Sequence, residues 1–276
     1  MKAFSTVSEL REALLPLRDK TIGFVPTMGA LHPGHISLVN IAREQCDVVV
    51  ASVFVNPTQF NDKNDLKNYP RTPEADAAML EAAGVDFVLF PSVEEIYPEP
   101  DTRVFDFGQL DKVMEGATRP GHFNGVAQVV SRLFAIVEPT KAYFGEKDFQ
   151  QIAIVRSMVE QLQIDVEIID CPIIREADGL ARSSRNVLLT EAHRQAAPRI
   201  YAALSAMAEH IGTMSAAELE QWATEQIEKS ELLKVIYLHI VDPKTLQRLD
   251  SLEGEARVCV AVQAGDVRLI DNVKLK

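Results

Sequence analysis

A run of apolar residues, DVVVASVFVN at 47–56, constrains the fold of this chain more than any other feature. β-Branched and aromatic residues dominate the run, and polar residues do not alternate with them, so it predicts a strand buried on both faces. Such strands belong to parallel sheets that helices cover on both sides. The run therefore predicts an α/β fold.

The segments around this run continue the pattern. Further strands are predicted at 21–27, 85–91, 141–145 and 164–174, and the helices between them at 35–46, 72–84, 125–139 and 149–162. Strands that alternate with helices imply a doubly wound parallel sheet with right-handed connections. The polar stretch 57–71 lacks periodicity and predicts a long binding loop.

The sequence pattern changes after Ile174. A polar stretch containing Gly179 is followed by two helical segments, near 190–210 and 215–229, and then by three strand-like runs that close the chain. The fold class is therefore α/β, a doubly wound parallel sheet over 1–174, with a smaller C-terminal α+β domain over 175–276.

Charge and cysteine content narrow the possible functions. Lys and Arg number 28 against 40 Asp and Glu, a net charge of −12, which disfavours nucleic acid and anionic membranes as partners. The three cysteines, Cys46, Cys171 and Cys259, are far apart, and we expect buried free thiols in a reducing cytoplasm. MKAFSTVSEL has no signal-peptide pattern, and no apolar run reaches the roughly 20 residues of a membrane span.

The segment MGALHPGH, 28–35, lies at the turn from the first predicted long strand into a helix. In doubly wound sheets ligands bind at the carboxyl ends of strands, and a helix N-terminus attracts phosphate through its free N–H groups. Gly29 and Gly34 allow close approach of the backbone, and Pro33 stiffens the turn. The segment therefore predicts a phosphate site.

A metal site is the alternative for His32 and His35. Two histidines three residues apart can share a metal, but a site needs three or four ligands, and the other histidines are scattered along the chain. The phosphate-binding signatures GxxxxGK[ST] and GxGxxG are absent, as is the GxSxG motif. A phosphate site built on histidines is thus favoured over zinc.

MGALHPGH also resembles the HxGH signature of a nucleotidyltransferase superfamily with a Rossmann-like, HUP-type fold, and ARSSRN at 181–186 resembles the basic loop of that superfamily. A closer resemblance, to the pantoate–β-alanine ligase family, rests on six motifs in order: PTMGALHPGH, SVFVNPTQF, RPGHFNGVAQVV, YFGEKDFQQ, READGLARSSRN and YLHIVDP. The resemblance covers nearly the whole chain.

The resemblance implies an ATP- and Mg²⁺-dependent ligation of pantoate and β-alanine, which proceeds through pantoyl adenylate and releases AMP and pyrophosphate. It implies an ATP- and pantoate-binding domain over 1–174, a lid domain over 175–276, and a cytoplasmic homodimer. The rivals are an enzyme that transfers a nucleotide and stops, a tRNA-charging enzyme, and a non-catalytic nucleotide sensor.

The resemblance also assigns residues. Catalytic roles fall to His32, His35, Lys147, Ser183, Ser184 and Arg185. ATP contacts fall to Met28, Gly29, Ala30, Leu31, His32, Pro33, Gly34, His35, Gly145, Glu146, Lys147, Asp148, Ile174, Arg182, Ser183, Ser184 and Arg185. Gln59, Gln151 and, more weakly, Asn56 are the substrate-binding candidates, Asp148 is the Mg²⁺ ligand, and Arg119 and His122 are further candidates for an anion. Gln128 and Arg182 depart from the family pattern.

Overall fold

The computed structural model describes all residues from 1 to 276, which divide into two compact units. The first unit comprises 1–107, 119–146 and 151–172, and the second comprises 108–118, 147–150 and 173–276. The second unit thus takes two short segments, 108–118 and 147–150, from the part of the chain that otherwise forms the first unit. The domain boundary expected at 174/175 stays a prediction.

A parallel sheet of six strands forms the centre of the first unit, in the order β1-β4-β3-β2-β5-β6. The strands are β1 Lys2–Phe4, β2 Ile22–Thr27, β3 Val48–Val53, β4 Phe87–Leu89, β5 Lys141–Gly145 and β6 Glu167–Cys171. After β2 the chain proceeds to β3 on one side and later to β5 on the other. The carboxyl ends of β2 and β5 therefore flank the crevice where ligands bind in such sheets.

Eleven α-helices accompany the two sheets. They are α1 Val7–Leu14, α2 Pro33–Gln45, α3 Lys63–Asn68, α4 Pro73–Ala82, α5 Val93–Ile96, α6 Met114–Thr118, α7 His122–Val137, α8 Phe149–Leu162, α9 Glu191–Ala196, α10 Arg199–Ala206 and α11 Ala216–Glu228. In the first unit α1 and α5 pack on α7, and α2 packs on α4. Val49, Val50 and Ala51 of β3 are fully buried, as the apolar run predicts.

The second unit contains an antiparallel sheet of three strands, β7 Leu233–Val241, β8 Arg257–Ala264 and β9 Val267–Lys274. Gly265, with a φ of 61°, lies in the two-residue turn between β8 and β9, where a left-handed conformation suits the hairpin. Residues of α10 and α11, including Leu204, Leu219 and Ile227, pack against the sheet to form the core. The predicted fold class is confirmed.

Several elements differ from the sequence-based expectation. Helices α5 and α6 were not predicted, and the helical segment expected near 190–210 is divided into α9, α10 and a 3₁₀ turn, Met207–His210. The stretch 57–71 is not a continuous loop, because it contains a 3₁₀ turn, Pro57–Gln59, and the short helix α3. Asp62 caps α3 by accepting from the Asn64 N–H at 2.7 Å, which offsets the lack of an apolar face. Strand β1 was not predicted, since three residues are too few to show a period. None of the helices is long and apolar enough to cross a membrane.

Candidate active site

The turn between β2 and α2 has an unusual backbone. Gly29 and Ala30 both adopt left-handed conformations, with φ of 82° and 48°. A Cβ at Gly29 would lie 2.9 Å from Asp76 Oδ2 and 3.0 Å from Val53 Cγ1, so the position requires glycine for space as well as for conformation. Pro33 then opens α2 at its first position. The turn therefore has a single, closely packed shape.

His32 and His35 cap the start of α2 together. The Gly34 N–H donates to His32 Nδ1 at 3.1 Å, and the His32 N–H donates to His35 Nδ1 at 3.3 Å. The ring centroids are 4.1 Å apart. Because both Nδ1 atoms accept backbone hydrogens, the proton of each neutral ring lies on Nε2. The capping arrangement thus makes each imidazole a neutral Nε2–H donor, the state that suits a phosphate oxygen.

The metal alternative gains no support from this geometry. No group of three or more His, Cys, Asp or Glu side chains is arranged to hold a metal ion. The Nδ1 atoms of His32 and His35 are already used by the backbone. A structural zinc site needs four protein ligands, and this pair supplies two at most.

Asp76 of α4, which no sequence motif marks, also contacts this turn. Its Oδ2 accepts from the Ala30 N–H at 3.0 Å, and its Oδ1 accepts from the Leu31 N–H at 2.8 Å. Only 1% of Asp76 is exposed. The only sequence signal is an acid in the first turn of a helix, which is common and carries no information about a contact with a distant part of the chain.

Gln59 and Asn56 form a second group in the first unit. Asn56 Nδ2 donates to Gln59 Oε1 and to the Gly125 carbonyl, both at 3.1 Å. Its Oδ1 accepts from the Tyr97 hydroxyl at 2.9 Å and from the Thr58 hydroxyl at 3.1 Å. Both Nδ2 hydrogens and both Oδ1 lone pairs of this buried amide therefore have protein partners.

Gln59 Nε2 lies 3.0 Å from Met28 Sδ, which brings this amide next to the histidine turn. From α7, His122 Nδ1 donates to the Gln59 carbonyl at 2.7 Å, and Arg119 Nη1 lies 3.2 Å from His122 Nε2. A Cβ at Gly125 would lie 2.4 Å from the Thr58 carbonyl oxygen. The turn that carries Gln59 is therefore packed directly on α7.

Gln128, the residue that departs from the family pattern in α7, has a structural explanation. Its Nε2 donates to the carbonyls of Asp101 and Arg103 at 3.0 and 2.8 Å. The Asp101 carboxylate in turn pairs with Arg103 and Arg132 at 2.6 and 2.7 Å. The hydrogen bond from Arg103 holds the pKa of the Asp101 carboxyl well below its usual range. Gln128 thus anchors the segment around 101–103.

The remaining predicted residues follow β5. Gly145 closes that strand and Glu146 succeeds it, whereas Lys147 and Asp148 belong to the second unit. Lys147 Nζ lies 3.3 Å from the Asp148 carboxylate, and the Lys147 carbonyl accepts from Asn272 Nδ2 of β9 at 3.2 Å. Beside Asn272, Asp271 is buried and pairs with Arg175 at 2.6 Å. Strand β9 therefore fixes the backbone of Lys147.

Residues 174–188 form a compact loop in the second unit. The Arg182 N–H donates to the Ile174 carbonyl at 3.0 Å, and the Arg182 guanidinium pairs with Glu176 at 2.8 Å. The Ser183 hydroxyl accepts from the Arg185 N–H at 3.3 Å and begins a 3₁₀ turn, Ser184–Leu188. Arg182 is thus an internal link of the loop.

The two neighbouring glutamines at the start of α8 differ in their surroundings. Gln150 is buried in the second unit, where its Nε2 donates to the Leu110 and Val113 carbonyls at 2.7 and 2.9 Å. Gln151, the predicted substrate residue, is half-buried in the first unit. Only Gln151 therefore remains a candidate for contact with a ligand.

The three cysteines are free and buried. Burial raises the pKa of the Cys171 thiol and that of the Cys259 thiol to about 12 each. Neither is a thiolate near neutral pH, so acyl transfer through a cysteine has no support at these positions.

The whole chain is similar in sequence to known proteins. The family model described as Pantoate-beta-alanine ligase matches residues 2–274. Pantothenate synthetases of Porphyromonas gingivalis and Bacteroides fragilis are 57% and 52% identical, with 99% and 100% of this chain and 99% of each relative covered.

Two crystal structures are similar over the whole chain. Pantothenate synthetase from Thermus thermophilus has a TM-score of 0.95 and 49% identity, with coverage of 100% of this chain and 99% of that one. The ligase from Francisella tularensis, complexed with beta-gamma ATP and beta-alanine, has a TM-score of 0.85 and 36% identity, with coverage of 100% and 98%.

Proposed function

The chain belongs to the pantoate-beta-alanine ligase family, and from this membership we propose that it joins pantoate to β-alanine with the consumption of ATP. The observation that carries the proposal is the match over residues 2–274, together with the backbone hydrogen bonds that occupy the Nδ1 atoms of His32 and His35. The Francisella tularensis relative, complexed with beta-gamma ATP and beta-alanine, supports the same substrates here.

The chemistry requires two steps. The pantoate carboxylate attacks the α-phosphorus of ATP, which forms the acyl–phosphate bond of pantoyl adenylate and releases pyrophosphate. The amine of β-alanine then attacks the acyl carbon, an amide forms, AMP leaves, and the amine loses a proton to solvent. A free carboxylate repels nucleophiles through its negative charge and has no good leaving group. In the adenylate the carboxyl charge is removed and AMP is the leaving group.

His32 and His35 stabilise the first step in this proposal. Negative charge grows on the phosphoryl oxygens during in-line displacement, and a fixed N–H donor in a partly buried site stabilises that charge without reorganising. The backbone contacts that hold each Nδ1 also hold each Nε2–H in a constant direction. Neutral donors suit the α2 N-terminus, where a positive imidazolium is disfavoured.

The family resemblance supplies further candidates for contact with ATP. We assign Lys147 to a phosphate, Ser183, Ser184 and Arg185 to the β- and γ-phosphates, and the Ile174 backbone to adenine. The carboxylate of Asp148 is 45% exposed, which fits a Mg²⁺ ion held mainly by phosphate oxygens and water. When bound, Mg²⁺ neutralises phosphate charge. Arg182 stabilises the loop through Glu176 and has no direct role in this assignment.

Gln59 and Gln151 are assigned to pantoate, since an amide accepts from hydroxyls and donates to a carboxylate. Asn56 acts indirectly, because its contacts with Gln59 and Gly125 use both of its amide hydrogens. Its bond to Gln59 Oε1 directs Gln59 Nε2 toward Met28.

Asn56→Ala tests this orientation. We expect the KM for pantoate to rise by about tenfold, the cost of roughly one lost hydrogen bond that had fixed Gln59. The KM for β-alanine and the rate at saturation should change less. Steady-state kinetics measures these values, and Asn68→Ala, an exposed asparagine of α3, is the matched control. An unchanged KM for pantoate would show that Gln59 does not depend on Asn56.

The function itself has a direct test. The purified chain is incubated with ATP, Mg²⁺ and pantoate, and mass spectrometry should detect pantoyl adenylate. Addition of β-alanine should release AMP and form pantothenate in equal amounts. A nucleotidyltransferase would instead leave a stable nucleotide-bearing product and ignore the amine, and a sensor would bind ATP without turnover. Either result would contradict the proposal.

We further propose a cytoplasmic homodimer, which the family resemblance supports. Three free buried thiols are compatible with a reducing compartment. Sedimentation equilibrium of the purified chain, with its mass of 30.6 kDa per protomer, decides between monomer and dimer.

A further inference from the structure

The carboxylate of Asp76 accepts hydrogen bonds from a segment outside its own helix, the turn between β2 and α2. Its two oxygens accept from the Ala30 and Leu31 N–H groups, and Oδ1 also accepts from the Thr72 hydroxyl at 3.1 Å. Thr72 stands at the N-cap of α4, yet its side chain caps no N–H of that helix. The Thr72 hydroxyl therefore donates to the Asp76 carboxylate, and the Thr72 side chain does not accept from a backbone N–H of α4.

The two N–H groups held by Asp76 belong to the most constrained part of the histidine turn. Ala30 has a φ of 48°, a left-handed conformation that non-glycine residues adopt at a cost in energy. Both N–H groups form part-buried hydrogen bonds with Asp76, and the loss of an acceptor away from full solvent contact also costs free energy. Without the carboxylate, we expect Ala30 and Leu31 to relax to a backbone conformation of lower free energy. Because His32 is the next residue, its ring would then move as well.

We infer that Asp76 is a positioning residue, which holds the 29–31 turn so that the Nε2–H groups of His32 and His35 keep a fixed direction. The inference rests on the proposed function, because it takes these donors to act on the phosphate in adenylate formation. Asp76 does not touch the reacting atoms. It acts through two backbone hydrogen bonds that no helix-capping role requires.

Asp76→Asn is the main test, since the amide keeps the size of the side chain but replaces one acceptor by a donor. The rate of pyrophosphate release at saturating ATP and pantoate should fall by about 10- to 100-fold, the effect of a small misplacement of catalytic groups. The KM for pantoate should stay within about twofold. Thr72→Val should give a smaller fall, and Glu74→Gln, an exposed acid of the same helical turn, none.

Hydrogen exchange separates positioning from a loss of stability. In Asp76→Asn the amides of Ala30 and Leu31 should exchange faster, while those of β8 should exchange as in the wild type. The inference is overturned by a wild-type rate in Asp76→Asn, by an effect confined to the KM for pantoate, or by faster exchange throughout the chain. If the wild-type chain itself makes no adenylate, the proposed function fails, and the exchange result still decides whether Asp76 holds the turn.

Discussion

His35→Ala is expected to lower the rate of adenylate formation by about 100- to 1,000-fold, the usual effect of removing one preorganised donor from a developing oxyanion. The substitution also removes the Nδ1 acceptor for the His32 N–H, so the cap of α2 is weakened at the same time. Single-turnover measurement of pyrophosphate release with saturating ATP and pantoate gives the rate. Retention of more than about a tenth of the wild-type rate would show that the donor is dispensable.

Two further variants separate the donor from the cap. In His35→Asn the amide oxygen occupies the place of Nδ1 and accepts from the His32 N–H, but nothing replaces Nε2–H. We expect this variant to melt close to the wild type and to be as slow as the alanine variant. In His35→Gln the amide nitrogen reaches the place of Nε2, so part of the rate should return while the cap is lost. If His35→Asn formed adenylate faster than His35→Gln, His35 would act by capping α2 and not by donating to the phosphate.

The fold follows from the sequence wherever an element is long or buried on both faces. Strand β5 and helix α8 have the bounds that the apolar pattern predicts, 141–145 and 149–162. Strand β1 and helix α3 are not predicted by the sequence pattern, each for its own reason. The three residues of β1 are ordered by pairing with β4, which no local pattern shows, and α3 depends on the Asp62 cap in a segment without an apolar face.

The candidate site shows a similar limit. MGALHPGH is visible in the sequence because glycine, proline and histidine in one turn have few structural uses. The side chains that hold the site are not visible, since their contacts depend on the fold: Asp76 reaches Ala30, and Asn272 reaches Lys147 across 125 residues. The contacts of Asn56 with Gln59 and Gly125 are likewise not visible in the sequence, and its role in substrate binding stays a prediction.

Lys147 is the second position where a large effect is expected. Its ammonium lies 3.3 Å from the Asp148 carboxylate and its side chain is 20% exposed, and β9 holds its backbone through Asn272. In a chain of net charge −12, a triphosphate needs fixed positive charge close to it. Lys147→Met removes the charge and nearly keeps the length of the side chain. We expect adenylate formation to slow by about 100-fold or more, as when a fixed charge on a transferring phosphoryl group is lost.

Lys141 provides a closely matched control. It begins β5, its side chain is 26% exposed, and it pairs with Glu167 at 3.4 Å, so its burial and pairing are close to those of Lys147. Because it lies at the amino end of the strand, away from the carboxyl end where ligands bind, Lys141→Met should leave the rate within about twofold. Lys147→Arg should recover part of the loss, since it restores the charge with a different shape. Equal effects of the two methionine variants would mean that the lysine of GEKD contributes only general charge, and the assignment of Lys147 to a phosphate would then be wrong.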